Sequence, residues 1–296
     1  MEIRHFRYFI AVAEELHFAR AAERLGIAPS TLTVQIQEIE RTLQARLLQR
    51  SKRSVRLTSA GELFLEQARA SLLQFEQALG VGRRAGRGEL GRIMIGYVGS
   101  AALAGVLQQH MRLFRSDWPM VQLQASEQSM GRLPELVAEG QVDVGFVRLP
   151  MTLPTGLSSH ILQRNRFCVA LPASHRLAGA QAVDARQLAG DDFVVPEQDL
   201  GTREVGRRGG FAPRITAIPG NLLAVLTEVS LWMGVAIVPD VVVPSVVLPD
   251  VVYKPLAGAA ITSDLAAIFR RNEGAPAVKN LIRQLVSAAP DALAGA

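Results

Sequence analysis

The sequence predicts a chain in two parts: an all-α N-terminal domain with a winged helix-turn-helix and a linker helix, then a C-terminal α/β domain of two lobes. Three observations predict it. Helical apolar spacing stops at Gly26 and restarts at Pro29, a basic cluster follows directly at residues 50–56, and from Arg92 onward short strands alternate with helical segments.

Phe18 to Glu40 reads as two short helices. Ala21, Ala22 and Leu25 recur at helical spacing, and Gly26 stands where a helix that must turn needs a residue free to take positive φ. Ile27 can plug the angle, and Pro29 fits the first position of a new helix, where its missing N–H is no loss. Leu32, Ile36 and Ile39 continue the apolar face. The other face carries Ser30, Thr31, Thr33, Val34 and Gln37, short groups that can bond phosphates and base edges or touch a thymine methyl inside a major groove. An αα-hairpin of an ordinary helical domain would share the spacing. It would not explain Arg50, Lys52, Arg53 and Arg56 around the turn-like Ser51 to Ser54, a loop suited to phosphates or a minor groove.

Thr58 or Ser59 can cap a long helix running to about Leu79. Its Leu65, Ala68, Leu72, Phe75 and Leu79 follow the spacing of a coiled-coil seam, which favours pairing with a second copy over a merely core-facing helix. Gly80, Gly82, Gly86, Gly88 and Gly91, interleaved with Arg83, Arg84 and Arg87, predict a flexible basic hinge. The expected domains are therefore residues 1–58, 59–91 and 92–296. In the last, strands at 93–98, 121–125 and 142–147 with helices at 103–115 and 132–139 predict βαβ units and a parallel sheet. A second block has strands near 167–171, 193–195, 215–217 and 235–238 and helices near 204–208 and 222–229. The chain then crosses back, so that a strand at 265–269 and a helix at 277–288 complete the first lobe. Lobe I is expected over about 92–161 and 256–296, lobe II over about 162–255, with a ligand cleft between them.

Composition bounds the function. The 296 residues are 49% hydrophobic and 20% charged, with a net charge of +5, which excludes disorder as the expectation. Residues 1–60 hold ten Lys or Arg against six acids, so most of the surplus sits where a polyanion would bind. Cys168 is the only cysteine, against a disulfide framework or a Cys-rich zinc site, and no cofactor or metal is expected. The N-terminus lacks the pattern of a secretory signal, and the apolar stretch Val229 to Val252 is broken by Pro239, Asp240, Pro244 and Pro249. A cytoplasmic protein without a membrane span is expected.

These residues resemble a family, the LysR-type transcriptional regulators. The likeness is carried by RHFRYFIAVAEELHFARAAERL, LTVQIQEIE, RSVRLTSAGELFLEQA, the GYVGS ending at Ser100, the VDVGFVR ending at Arg148 and the GVAIVP at Gly234 to Pro239. It implies a periplasmic-binding-protein-like effector domain and a bacterial regulator acting as a homodimer or homotetramer. Its implied partners are double-stranded DNA, a small-molecule effector with an anionic group as the candidate, and RNA polymerase if it activates. With the residue reading above, DNA contacts are expected from Pro29, Ser30, Thr31, Thr33, Val34, Gln37, Lys52 and Arg53. For the effector the resemblance implies Ser100, Ala101, Ser129, Met130 and Arg148 from lobe I and Pro196, Glu197, Thr202, Ile218 and Asn221 from lobe II.

The chain departs from the family pattern at several points. Ala28 replaces a frequent capping Ser, so that the cap is either missing or supplied by Ser30; Val34 replaces a frequent Arg, giving a methyl-rich surface; Met130 replaces a frequent Thr, leaving Ser129 as the nearest hydroxyl; and the segment from Pro196 to Arg203 is short. From the residues themselves, Ser100 at a strand-to-helix junction can help hold an anion, an ordinary cap being the plainer role, and a surface salt bridge is the plainer role of Arg148.

Other function classes fare worse. An enzyme would need a motif that is missing: there is no P-loop, G-x-S-x-G or H-E-x-x-H, the five histidines are dispersed, and no catalytic residue is assigned. A solute-binding protein would share the cleft but not the basic N-terminal domain. A regulator working without a ligand stays open.

Overall fold

The computed structural model describes residues 1–51 and 54–288, which separate into two compact units, residues 1–84 and residues from 85 on. In the first unit α1 (Ile3–Glu15), α2 (Phe18–Leu25) and α3 (Pro29–Leu43) enclose a core in which Phe9, Leu32, Ile36 and Ile39 are fully buried. Gly26 at φ +66° closes α2, its N–H bonded to the Ala22 carbonyl, and the Ile27 N–H reaches the same oxygen. Ile27 then packs on the core, as expected of the plug. At α3 Pro29 takes the first turn, and no side chain caps the helix at Ala28, so Ser30 does not supply the cap.

A short antiparallel hairpin of β1 (Leu48–Arg50) and β2 (Val55–Leu57) follows, closed by the Ser51 N–H on the Ser54 carbonyl. Thr58 caps α4 (Ser59–Gly86), its Oγ1 accepting from the Gly61 N–H and donating to the Arg46 carbonyl. A Cβ at Gly61 would lie 2.1 Å from the Leu47 carbonyl oxygen, so only glycine lets the hairpin close on the helix. Two expectations about α4 need correction. The helix runs through Gly80 and Gly82 to Gly86 instead of yielding to a flexible hinge there, and Gly88, at φ +73°, is held where a Cβ would meet Pro276 and Ala277 at 2.7 Å. The seam is also divided: Leu65, Ala68 and Leu72 pack into the unit's own core, while Phe75 and Leu79 are exposed.

The second unit starts with β3 (Gly91–Tyr97), α5 (Gly99–Leu103), α6 (Val106–Asp117), β4 (Val121–Glu127), α7 (Leu133–Ala138) and β5 (Val144–Leu149). The helix expected at 103–115 is α6, which starts after Gly105 at φ +75°, and the short α5 precedes it. β6 (Leu157–Gln163), which the sequence analysis missed, lies at the edge of the sheet. The sheet order is β4-β3-β5-β12-β6, where β12 is Asp264–Arg270. Strands β3, β4 and β5 are parallel as expected, but β12 runs antiparallel to both its neighbours, so the sheet is mixed. The returning α10 (Pro276–Ser287) covers it, and one core joins Phe114, Leu133, Phe146 and Leu281. Asp143 is structural: it accepts from the Met94 N–H at 2.8 Å and from Arg270 at 2.9 Å.

Lobe II holds β7 (Phe167–Pro172), β8 (Asp192–Pro196), α8 (Leu200–Gly209), β9 (Arg214–Gly220), α9 (Leu222–Ser230), β10 (Ala236–Pro239) and β11 (Val251–Pro255). The antiparallel order is β10-β7-β11, and β8 pairs in parallel with β9. Period-two alternation splits β7 between two cores, Val169 and Leu171 facing one and Cys168 and Ala170 the other. The lobes are joined by two crossovers, residues 164–166 and 256–263.

His110 on α6 is 2% exposed, and neither ring nitrogen has a partner. Burial, with a smaller push from His160, lowers its pKa below the ordinary 6.5. The unfolded chain therefore takes up the proton first, and this unit should lose stability as pH falls below about 6.5. Denaturant titrations at a series of pH values test this: His110→Leu should flatten the acid side of the profile, and an unaltered slope would refute it.

Candidate functional site

Two sites emerge, one in each unit. In the first, the inner face of α3 is buried and the outer face is free: Pro29, Ser30, Thr31, Val34 and Gln37 are exposed, Val34 by 58%. Thr33 is half-buried, and its hydroxyl donates back to the Pro29 carbonyl at 2.8 Å, so its methyl and an oxygen lone pair are what remain to offer. Lys52 and Arg53 lie outside the described residues. Of the other basic-loop residues, Arg56 is exposed, whereas Arg50 is committed within the fold. It donates to Glu40 at 2.9 Å and lies over the Phe18 ring at 5.0 Å. Glu40 in turn accepts from the Leu47 and Leu48 N–H groups, so this buried carboxylate ties the hairpin to α3. The outcome is a helix whose N-terminal half exposes short, uncharged groups beside a hairpin on which Arg56 is exposed.

The second site is a cavity of about 440 Å³ between the two lobes. From lobe I the structure brings Ser100, Ser129, Met130 and Arg148 into its wall, and from lobe II Pro196, Glu197 and Asn221. Three expected residues are elsewhere. Ala101 is fully buried in the lobe I core, Thr202 is turned inward on α8, and Ile218 is 63% exposed on β9. In their place the wall includes Glu127, Gln128, Phe167 and Ser263. Ser263, far along the chain from the βαβ units, carried no motif that could mark it. Glu127 ends β4, at the C-terminal edge where such sheets place ligands, and that position was a usable signal.

Arg148 organises the cavity. It is 6% exposed, and not the surface ion pair that is the plainer role of such a residue. Its Nε donates to Ser100 Oγ at 3.1 Å and its terminal nitrogens to the Ser100 carbonyl, the Ser263 carbonyl and Asn165 Oδ1 at 2.7–2.9 Å. Four of the five guanidinium N–H bonds are thus spent, one stays unspent, and the residue lines the cavity. Burial lowers its pKa to about 10, opposed by Asp240 and Asp264, and it stays charged at neutral pH. Asn165 and Ser263 sit one on each crossover, so Arg148 fastens both. Across the mouth, Glu197 Oε2 accepts from the Met130 N–H at 2.9 Å and links the lobes.

The comparisons with known proteins fit this geometry. Residues 3–62 match the bacterial regulatory helix-turn-helix protein of the lysR family, and residues 86–290 match the LysR substrate binding domain. The chain belongs to the LysR-type transcriptional regulators. It is a DNA-binding regulator with an effector-binding domain. It is 34% identical to the uncharacterized HTH-type transcriptional regulator YnfL of Escherichia coli (strain K12), covering 97% of this chain and 99% of that one. It is also 34% identical to the probable cat1 operon transcriptional activator of Acinetobacter lwoffii, covering 98% of each. Among solved structures, full-length CbnR complexed with its target DNA is similar with a TM-score of 0.79 and 26% identity, covering 96% of this chain and 98% of that one. Among the described residues no helix is long and apolar enough to cross a membrane, and no cluster of potential metal ligands is present.

Proposed function

We propose that this regulator reads duplex DNA with the exposed face of α3 and the β1–β2 hairpin, and that a small molecule in the inter-lobe cavity controls it. The observation that carries the first half is the division of α3 into a fully buried face and an exposed one whose first turns, Pro29 to Gln37, carry no charge. CbnR, solved on its target DNA, supports the same use of the N-terminal domain. The second half is supported by an open cavity with a buried cation in its wall, where a ligand-independent regulator would need no such space. Working as a homodimer or homotetramer in the cytoplasm, the chain meets RNA polymerase if it activates, and no catalytic step is assigned to it.

The test is an operator selected from random duplexes with the full chain, followed by binding titrations of Val34→Glu. Because Val34 is exposed, the fold should be unchanged, while a carboxylate placed in the groove should weaken specific binding by about 10–100-fold, equivalent to ~1–3 kcal/mol. Unchanged affinity with an intact fold would remove α3 from the DNA.

A further inference from the structure

We propose that the cavity takes a dipolar ligand, presenting an oxygen acceptor to Ser263 and Arg148 and a cationic or hydrogen-bond-donating group to Glu127 and Glu197. This rests on the effector role assigned to the cavity above.

Ser263 carries the first half. It is fully buried, it is one of the residues that line the cavity, and its hydroxyl has no partner. Its backbone is fully engaged, the N–H on the Asn165 carbonyl at 2.9 Å and the carbonyl receiving Arg148 at 2.9 Å, so the residue is fixed while its O–H stays unused. A buried hydroxyl without a partner is destabilising and uncommon, and one facing a cavity is satisfied by what enters it. Arg148, whose Nη1 holds the Ser263 carbonyl, lines the same cavity and has one N–H unspent. Two adjacent donors call for an oxygen, of a carboxylate or comparable acceptor.

The acidic residues carry the second half. Glu127 and Glu197 line the same cavity, and neither has a cationic partner among the described residues. Glu197 uses Oε2 for the Met130 N–H and keeps Oε1, and Glu127 Oε1 sits over Gly99, where a Cβ would come within 2.8 Å of it. The charge of Arg148 already feels Asp240 and Asp264. A purely anionic ligand would satisfy Ser263 but face two carboxylates without counter-charge; an ammonium or a hydroxyl at its other end removes that conflict. The anionic effector expected from Ser100 and Arg148 alone becomes, with these groups counted, a zwitterion of the amino-acid type or a hydroxy acid.

Matched probes test the assignment on the full chain by calorimetry: 4-(aminomethyl)benzoate against benzoate and benzylamine, and 6-aminohexanoate against hexanoate and hexylamine. At least one zwitterion should bind about 10-fold tighter than both of its halves. Ser263→Ala should weaken the zwitterion and its carboxylate half by about 3–10-fold and leave the amine half unaffected. Glu127→Gln with Glu197→Gln should erase the zwitterion's advantage over the carboxylate. Equal binding of carboxylate and zwitterion, an unaffected Ser263→Ala, or binding by none of the six probes would overturn the assignment. The effector role fails by a different result: Ser129→Trp, which fills the cavity, would leave regulation of a reporter promoter unchanged.

Discussion

Arg148→Ala should destabilise the second unit by about 3–5 kcal/mol, enough to lower its melting temperature by roughly 6–20 °C in a unit of this size. The guanidinium holds the Ser100 and Ser263 carbonyls and Asn165 Oδ1, and removing it leaves these buried acceptors with nothing to accept. Water entering the new space can recover only part of that. Arg148→Lys keeps the charge but replaces a planar fork of five donors with a point of three, so it should fall between parent and Ala. Arg148→Met offers a comparable volume without donors and should resemble Ala, because the stranded groups are carbonyls and not a partner ion. Denaturant unfolding of the full chain, followed by a probe in the second unit, reads the difference. A loss below about 1 kcal/mol for Ala would mean that the four hydrogen bonds do not fasten the crossovers.

The same residue illustrates what sequence could and could not disclose. That Arg148 ends a strand at the ligand edge of the sheet followed from the apolar run Val144 to Val147. Its burial did not, because all four of its acceptors are supplied by residues 100, 165 and 263, and acceptors so far along the chain leave no trace in a local pattern. The helix-turn-helix was legible because its signals are local: Gly26, Pro29 and the spacing of Leu32, Ile36 and Ile39 each act within one or two turns. β6 escaped because Ser158, Ser159 and His160 give an edge strand little apolar alternation. The antiparallel β12 was equally hidden, since strand direction depends on how the chain returns from lobe II. Gly80, Gly82 and Gly86 misled for another reason: glycine lowers helix propensity by about 1 kcal/mol per residue, and a helix already nucleated over residues 59–79 extends through that cost. In lobe II, Thr202 and Ile218 were carried over by resemblance onto α8 and β9, whose faces are set by packing; one residue turned inward and the other to solvent.

Phe75→Glu combined with Leu79→Glu should at least halve the number of subunits in the assembly. Both side chains lie on the face of α4 that begins with Leu65, Ala68 and Leu72, but those three are used by the N-terminal core, and the exposed seam starts only beyond them. A charge at Leu72 would therefore confuse loss of pairing with loss of the domain. Phe75 and Leu79 are 36% and 43% exposed in a single chain and are not part of the buried core, so glutamates there should cost the monomer little. Across a paired helix the same glutamates would set like charges against each other in an apolar seam, a loss of several kcal/mol and on the order of a thousandfold in association. Leu63→Gln is the control: at 100° per residue Leu63 lies on the opposite side of α4, and despite being 69% exposed it should not affect assembly. Sedimentation of the full chain at micromolar concentration separates the outcomes. If the double variant kept the parent's subunit number, α4 would not be the pairing element, whereas a loss shared by Leu63→Gln would point to a broader contact than this seam.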